Sequence, residues 1–384
     1  MKIGIDLRTV LSGRRTGVEL YAINLLKVLL KIDQKNEYIF FNSARRDRSK
    51  LIEELGEEIG FTNHPRSKVV DLHISDLILE MSWRFFGWPK MDKLMGGVDI
   101  VFVPNVMMAP VSRGVKKITT FHDLNFEFFP QFFTFKSRLW FWLIRPRREA
   151  LVSQRLIAVS ESTKRDLESV YKVPSQKIKV IYNGVDESYF SSVSEMKLDE
   201  VQAKYSLPAK FILYLGTLEP RKNLVTLIEA FHASLDGLEP NVKLVLAGGK
   251  GWYYDEIFKK VEELNLGGRV IFTDRFAEED KKTLYQLATV FVFPSWYEGF
   301  GLPPLEAMAS GTPVIVADNS SLPEVVGDAG LKFEAHDRNE LAVKIESVIN
   351  NPELAEKMAK EGREQAKSFT WETAAKETLA LFEE

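Results

Sequence analysis

Short β-branched, apolar runs alternate with amphipathic stretches along almost the whole chain, and the alternation starts afresh half-way. Strands are expected over residues 2–6, 38–42, 100–104, 117–122, 155–160 and 177–182, and again over 211–216, 243–247, 270–273, 290–294 and 313–317. Helical periodicity fills gaps between them, for example at 18–32, 222–235 and 303–310. Strand–helix alternation of this kind predicts parallel, doubly wound sheets, so the fold class is α/β with two Rossmann-like domains. A chain of 384 residues suits two domains better than one or three. The first is expected over 1–190 and the second over 205–367, with a linker at about 186–208 that includes the polar stretch 191–204. Such sheets bind ligands at their carboxyl ends, which here predicts a cleft with the two domains facing each other across it.

Composition narrows the function classes. Hydrophobic residues make up 45% and charged residues 27%, the profile of a soluble protein with two cores. Cysteine is absent, so disulfides and thiolate metal sites are excluded. The opening MKIGIDLRTV reads as strand and loop, and the longest apolar runs, such as 139–144, are far short of the ~20 residues of a membrane span. A cytoplasmic location is therefore expected, with peripheral attachment at a membrane face left open. Charge is uneven. Residues 1–190 carry 30 Lys and Arg against 22 Asp and Glu, whereas the remainder carries 21 against 32. The basic half suits anionic lipid or a phosphorylated substrate, and nothing in the chain has the pattern of a nucleic-acid reader.

The stretch 290–318, VFVFPSWYEGFGLPPLEAMASGTPVIVAD, carries most of the chemistry. A buried strand runs into a loop, Pro303 and Pro304 suit the first turn of a helix, and Gly311 ends it. Gly299 and Gly301 with Asp318 imitate a dinucleotide fingerprint, but Pro304 stands where the third glycine belongs and the strand comes late in its domain. What the segment does supply is a set of N–H groups at a helix start, which favours an anion, and two carboxylates, Glu298 and Glu306. By themselves these read equally well as stations along one ligand or as a solvated group and a helix-dipole partner. Arg221 and Lys222 open a helix, where cations oppose the dipole, so an anionic ligand explains them better. His122 and Asp123 stand at the end of a strand, where they would point into the expected cleft. No D-x-D or H-E-x-x-H pattern occurs, so no metal site is expected.

The E-x7-E spacing of EGFGLPPLE resembles that of retaining glycosyltransferases of the GT-B fold, and the chain is similar to glycosyltransferase family 4 over nearly its whole length. YLGTLEPRKNL (214–224), FHDL (121–124), AVSESTKRDL (158–167), NGVD (183–186) and LAGGKG (246–251) carry the same likeness. The resemblance implies metal-independent hexosyl transfer, of mannose or glucose type, from a GDP- or UDP-linked sugar to a hydroxyl acceptor, with retention of configuration. The nucleotide sugar is then a substrate and no cofactor is needed. Arg221, Lys222, Gly301 and Leu302 would hold the diphosphate. Glu298, Gly299 and Phe300 would hold the sugar, and Glu306 the ribose. His122 and Glu298 would be the catalytic pair of positions, and Gly248 and Phe276 would lie near the base. The family's glycine-rich first loop is here SGRRTGVE, with only Gly13 and Gly17. A helix at about 368–384 would pack back on the first domain. The implied acceptor is a glycan or lipid-linked glycan, with a role in polysaccharide biosynthesis. A GT-B epimerase or hydrolase, or a non-catalytic sugar-nucleotide-binding subunit, are the alternatives; donor consumption without acceptor, or binding without turnover, would distinguish them.

Two aromatic and basic segments lie outside this scheme, WRFFGWPK (83–90) and FFTFKSRLWFWLIRPRREALVSQR (132–155). Each reads either as a core helix with a basic outer face or as a surface suited to anionic headgroups.

Overall fold

The computed structural model describes residues 1–11, 16–43 and 48–384. They form two compact units, Met1–Gly184 with Trp371–Glu384, and Val185–Thr370. The first contains β1 (Lys2–Asp6), β2 (Glu37–Ser43), β3 (Ser67–Leu72), β4 (Ile100–Val103), β5 (Lys116–Phe121), β6 (Arg155–Ala158) and β7 (Ile178–Val180), all parallel, in the order β3-β2-β1-β4-β5-β6-β7. The second contains β8 (Phe211–Leu215), β9 (Lys243–Ala247), β10 (Val270–Phe272), β11 (Val290–Phe293), β12 (Val314–Ala317) and β13 (Leu331–Phe333), also parallel, in the order β10-β9-β8-β11-β12-β13. Both are doubly wound α/β sheets. The central strands are buried from end to end, as in β4, β8, β11 and β12, because helices cover both faces.

Strand order reverses between β1 and β4 in the first unit and between β8 and β11 in the second. Adjacent loops leave the sheet in opposite directions at such a point and open a crevice beyond the strand ends. The loops after β8 and β11 therefore frame the second unit's crevice.

Two strands were not expected from the sequence, and both lie at sheet edges. β3 is SKVVDL, exposed along much of its length, and β13 is only LKF. The linker expected at about 186–208 is instead folded into the second unit. Arg363 donates to the Phe190 carbonyl, Gln286 donates to Ser191 O at 2.8 Å, and Lys204 pairs with Asp280 at 2.6 Å. Charged residues there serve local ion pairs, which a polarity scan cannot tell from a tether.

The last helix, Trp371–Glu383, belongs to the first unit. Trp371 stands 6.0 Å from the Tyr21 ring, Phe382 stands 5.4 Å from Phe102, and Lys116 donates to the Leu381 carbonyl at 2.7 Å. Helix Gly17–Ile32, against which it packs, begins with a reciprocal cap between Thr16 and Glu19. Among the described residues no helix is long and apolar enough to cross a membrane.

Candidate active site

The loop leaving β8 is tied down before it reaches its charged residues. Gly216 N donates to Ala247 O at 2.9 Å, and Leu218 N and Gly249 O are joined at 2.9 Å. A Cβ on Gly248 would lie 1.9 Å from the Gly216 carbonyl, and its φ is +155°, so only glycine fits. The chain then makes one 3-10 turn, Pro220–Lys222, and Asn223, at φ +55°, starts helix Leu224–Ala233. The Asn223 amide donates to Pro294 O and Ala335 O, fixing this turn to the end of β11.

The second loop, from Pro294 to Gly301, is held from beneath. Ser320 accepts from Glu298 N at 3.0 Å, and the Ser321 hydroxyl reaches the carbonyls of Glu298 and Phe300. Helix Leu302–Ala309 begins directly after Gly301, whose φ is +116°.

These two loops bring Arg221, Lys222 and Glu298 into one cluster. Glu298 Oε1 takes both cations, Lys222 Nζ at 2.6 Å and Arg221 Nη1 at 3.1 Å. Arg221 also pairs with Glu219 at 2.9 Å and donates to the Tyr297 carbonyl at 2.8 Å. Burial alone would push the Glu298 carboxyl up, but Arg221 and Lys222 outweigh it and bring its pKa down to about 2. Burial and the neighbouring Arg221 charge lower the Lys222 pKa. The cluster is charge-dense yet not sealed, for the Arg221, Lys222 and Glu298 side chains keep 14%, 11% and 13% of their surface. It can rearrange around an incoming anion that takes over the cations now held by Glu298.

Glu306 stands in a separate nest. Its carboxylate accepts from Lys281 Nζ at 2.8 Å and from the Tyr285 hydroxyl at 3.0 Å, both on helix Lys281–Leu287, and lies near Tyr189. Burial lowers the Lys281 pKa, but Glu306 and Glu278 raise it by more. With Lys281, Tyr285 and Tyr189 all bonded to it, the carboxylate keeps about one of its roughly four lone-pair sites, so a diol would have to displace a donor. Glu219, Lys281, Tyr285 and Tyr189 had not been singled out from sequence. Glu219 was legible two residues before Arg221; the other three are distant in the chain and left no signal.

The remaining expected residues fall into different places. Gly299 is buried in the loop and Leu302 is the first helical residue. Phe300 is 5% exposed with its ring 5.8 Å from Phe369, so its side chain belongs to the core and only its backbone is left for a sugar. Gly248 serves close backbone packing, and Phe276 is half-buried after β10. In the first unit, Gly17 begins a helix, with no described protein atom within 4 Å of where a Cβ would stand; Gly13 lies outside the described residues. His122 follows β5, its Nε2 donating to Pro104 O at 2.9 Å and its ring 4.7 Å from Tyr21. Burial lowers its pKa to about 4, with the carbonyl only partly opposing, so the ring is neutral at physiological pH with Nδ1 as acceptor. Asp123 accepts from both nitrogens of Asn125.

The chain is similar to known glycosyltransferases. Residues 199–365 match the family described as Glycosyl transferases group 1, and residues 15–189 match Glycosyltransferase Family 4. O-antigen chain mannosyltransferase B of Escherichia coli is 33% identical over 371 residues, 96% of either chain. Sucrose-phosphate synthase from Thermosynechococcus elongatus superposes with a TM-score of 0.73 at 22% identity, over 100% of this chain and 98% of that one. Anabaena Alr3699/HepE, solved in complex with UDP and glucose, superposes with a TM-score of 0.72 at 19% identity, over 100% and 99%. Two parallel α/β units, the paired loops at the second switch point and these likenesses together place the chain among the group 1 glycosyltransferases of glycosyltransferase family 4, enzymes of the GT-B fold.

Proposed function

We propose that the enzyme moves a hexose of mannose type from a GDP- or UDP-linked donor to a hydroxyl of a glycan or lipid-linked glycan, with retention and without a metal. The Arg221–Lys222–Glu298 cluster at the switch point carries this reading. Mannose is favoured because a mannosyltransferase relative matches end to end.

Breaking the donor's glycosidic bond leaves negative charge on the diphosphate and positive charge on the sugar. Arg221 and Lys222, preorganised by their loop, stabilise the first, helped by N–H groups at Gly301 and Leu302. Glu298, released as the phosphates take its cations, accepts from sugar hydroxyls beside the backbone of Gly299 and Phe300. Glu306 holds the ribose diol, and Gly248 and Phe276 lie toward the base. His122, neutral, serves as a hydrogen-bonding group for the sugar. The acceptor oxygen attacks on the face the diphosphate leaves, and its proton passes to that phosphate, so configuration is kept. Two cations in place of a metal account for metal independence. The acceptor's chemistry and the basic first half favour a cytoplasmic enzyme in peripheral contact with a membrane.

The test is direct. GDP-mannose, GDP-glucose, UDP-glucose and UDP-galactose are each incubated with a mannan acceptor in EDTA, and the product anomer is read by NMR. Axial-to-axial transfer from GDP-mannose is expected. Inversion, dependence on Mg²⁺ or Mn²⁺, or donor hydrolysis without transfer would overturn the reading.

A further inference from the structure

Helix Asp76–Phe85 is apolar on both faces. Its buried residues are Leu79, Glu80 and Trp83, a set that includes a carboxylate. Its exposed residues are Leu77, Ile78, Met81 and Phe85, and Phe86 and Trp88 continue the exposed apolar surface just beyond. An ordinary surface helix turns its apolar stripe to the core. Here the inward charge has an explanation. The buried Arg8 guanidinium lies 4.7 Å over the Trp83 ring, and its charge acts on both Glu80 and Asp76. The outward apolar face has none within the unit.

A second helix joins this face. Helix Phe135–Ile144 exposes Phe135, Leu139 and Trp142, one stripe at helical spacing, while Leu143 and Ile144 are buried beneath. Arg84 bridges the two helices, its guanidinium 4.4 Å from the Trp142 ring. Phe86 and Phe135 are 81% and 80% exposed, far beyond what single surface apolar residues need.

The charges around the patch are mostly basic, with Glu127, beside Arg138 and Trp142, an exposed carboxylate among them. Burial and the nearby charges of Arg145 and Arg148 lower the Arg84 pKa, which places three guanidinium groups in mutual reach. Arg138 and Arg147 are exposed close by in sequence. Helix Phe135–Ile144 contains no carboxylate, and Glu149 of helix Pro146–Val152 is buried against Lys117. Glu80 is buried and Asp76 half-buried. An identical copy would bring a second basic rim against the first, whereas a bilayer rich in anionic headgroups takes the aromatics at its interface and offers phosphates to the arginines.

We infer that the joint face of helices Asp76–Phe85 and Phe135–Ile144 is the surface by which this enzyme docks on an anionic lipid bilayer, with Phe86, Trp88, Phe135 and Trp142 entering the headgroup boundary. The inference rests on the peripheral-membrane reading above and names the element that inserts, which the charge distribution alone did not.

The test uses the full chain in flotation with phosphatidylglycerol-rich and pure phosphatidylcholine vesicles, with mannosyl transfer to a soluble acceptor measured alongside. Binding is expected only to the anionic vesicles and should fade with salt. Reversing Arg145, Arg147 and Arg148 to Glu should lower partitioning by about a hundredfold or more. Ile78→Ser with Phe86→Ser should release the protein while transfer to the soluble acceptor continues. Quenching of tryptophan fluorescence by brominated acyl chains should disappear in Trp88→Phe/Trp142→Phe. Absence of vesicle binding overturns both this inference and the membrane reading, whereas binding untouched by all these substitutions overturns only the placement of the surface. A concentration-dependent dimer abolished by Phe86→Ser would assign the face to a second copy and overturn it as well.

Discussion

Each unit carries an arginine–carboxylate pair at the carboxyl ends of its strands, and the two pairs differ in one property. In the first unit Arg8 grips Asp6 through Nε at 2.9 Å and Nη2 at 2.6 Å, with both side chains 1% exposed. In the second, Arg221 and Lys222 share Glu298 but remain within reach of solvent. The chemistry is alike, yet one pair is closed and the other can be opened by a ligand. A sealed pair pins the loop after β1 to β4's side through the Met108 carbonyl, which Arg8 also bonds at 2.8 Å. A reachable pair is what the proposed function needs, with the protein carboxylate holding the cations that a donor diphosphate would take over. Burial and pairing therefore do not by themselves mark a catalytic cluster; residual access does.

The sharpest way to break this comparison is to remove one charge from the sealed pair. Asp6→Asn removes the carboxylate that grips Arg8 and leaves only the charges of Asp76 and Glu80 to face it, so unfolding free energy should fall by about 3 kcal/mol. Urea denaturation measures it. Transfer per folded molecule should stay near the parent value. A variant that kept its stability but lost activity would move Asp6 and Arg8 into the chemistry.

The open pair should lose activity as well. Arg221→Ala should cost about 1.5–3 kcal/mol in kcat/KM through a lost charge-assisted contact, and should also lower the denaturation midpoint, because the buried Glu219 loses its partner even though Lys222 still holds Glu298. Arg221→Lys should recover only part, since a point charge replaces a planar fork that now reaches Glu219, Glu298 and a carbonyl together. Parent kinetics in both variants would end the diphosphate assignment.

The ease with which the second cluster was legible, and the opacity of the first unit's outer helix, have the same physical root. Arg221, Lys222 and Glu298 sit in the turn after β8 and the loop before helix Leu302–Ala309, so their spacing stands apart from helix or strand periodicity. Glu306 was legible too, but its partners Lys281 and Tyr285 sit on another helix, and no local pattern joins them. Central strands such as β8 and β11 announced themselves by continuous burial. Edge strands β3 and β13, short or half-exposed, lack that pattern because only one side of each is paired. Helix Asp76–Phe85 escaped because its apolar residues suggest a core-facing stripe, whereas only Leu79 and Trp83 of them face inward, with Glu80 drawn toward Arg8, and the others stay outside.

Acid should separate the units in sequence. Free histidine titrates near 6.5, whereas buried His122 does so at about 4. As pH falls through that window the unfolded chain takes a proton that the folded ring refuses, so stability is lost, by on the order of 1–2 kcal/mol after discounting for a half-buried ring. Glu298 acts lower down. Its pKa is depressed from 4.5 to about 2, so its contribution is present above the ordinary carboxylate value and lost as pH falls toward 2. His122→Gln should erase the first step and Glu298→Gln the second in urea midpoints followed against pH. If both variants retain both steps, neither group is the one that titrates. Between pH 6.5 and 8 the parent kcat/KM should show no histidine inflection from His122.

The smallest effect tests Gly17, which with Gly13 was read as the glycine loop of the first domain. Gly248 in the second unit has no room for a side chain, whereas Gly17 in the first has no described protein atom within 4 Å of the missing Cβ and no positive φ. Gly17 opens helix Gly17–Ile32, just after its Thr16 cap. Alanine there meets no atom of the described residues and narrows the freedom of the unfolded chain, so Gly17→Ala should stabilise by about 0.4–1 kcal/mol. If only the protein's own packing matters at this position, transfer rates should not change. If donor or acceptor approaches the backbone of this turn closely, the added methyl group stands in its way, and KM for that substrate should rise while the denaturation midpoint still increases. Steady-state kinetics with each substrate varied in turn separates these results. A rise in one KM would restore Gly17 to the substrate-binding role its sequence suggested, and unchanged constants would confine it to starting the helix.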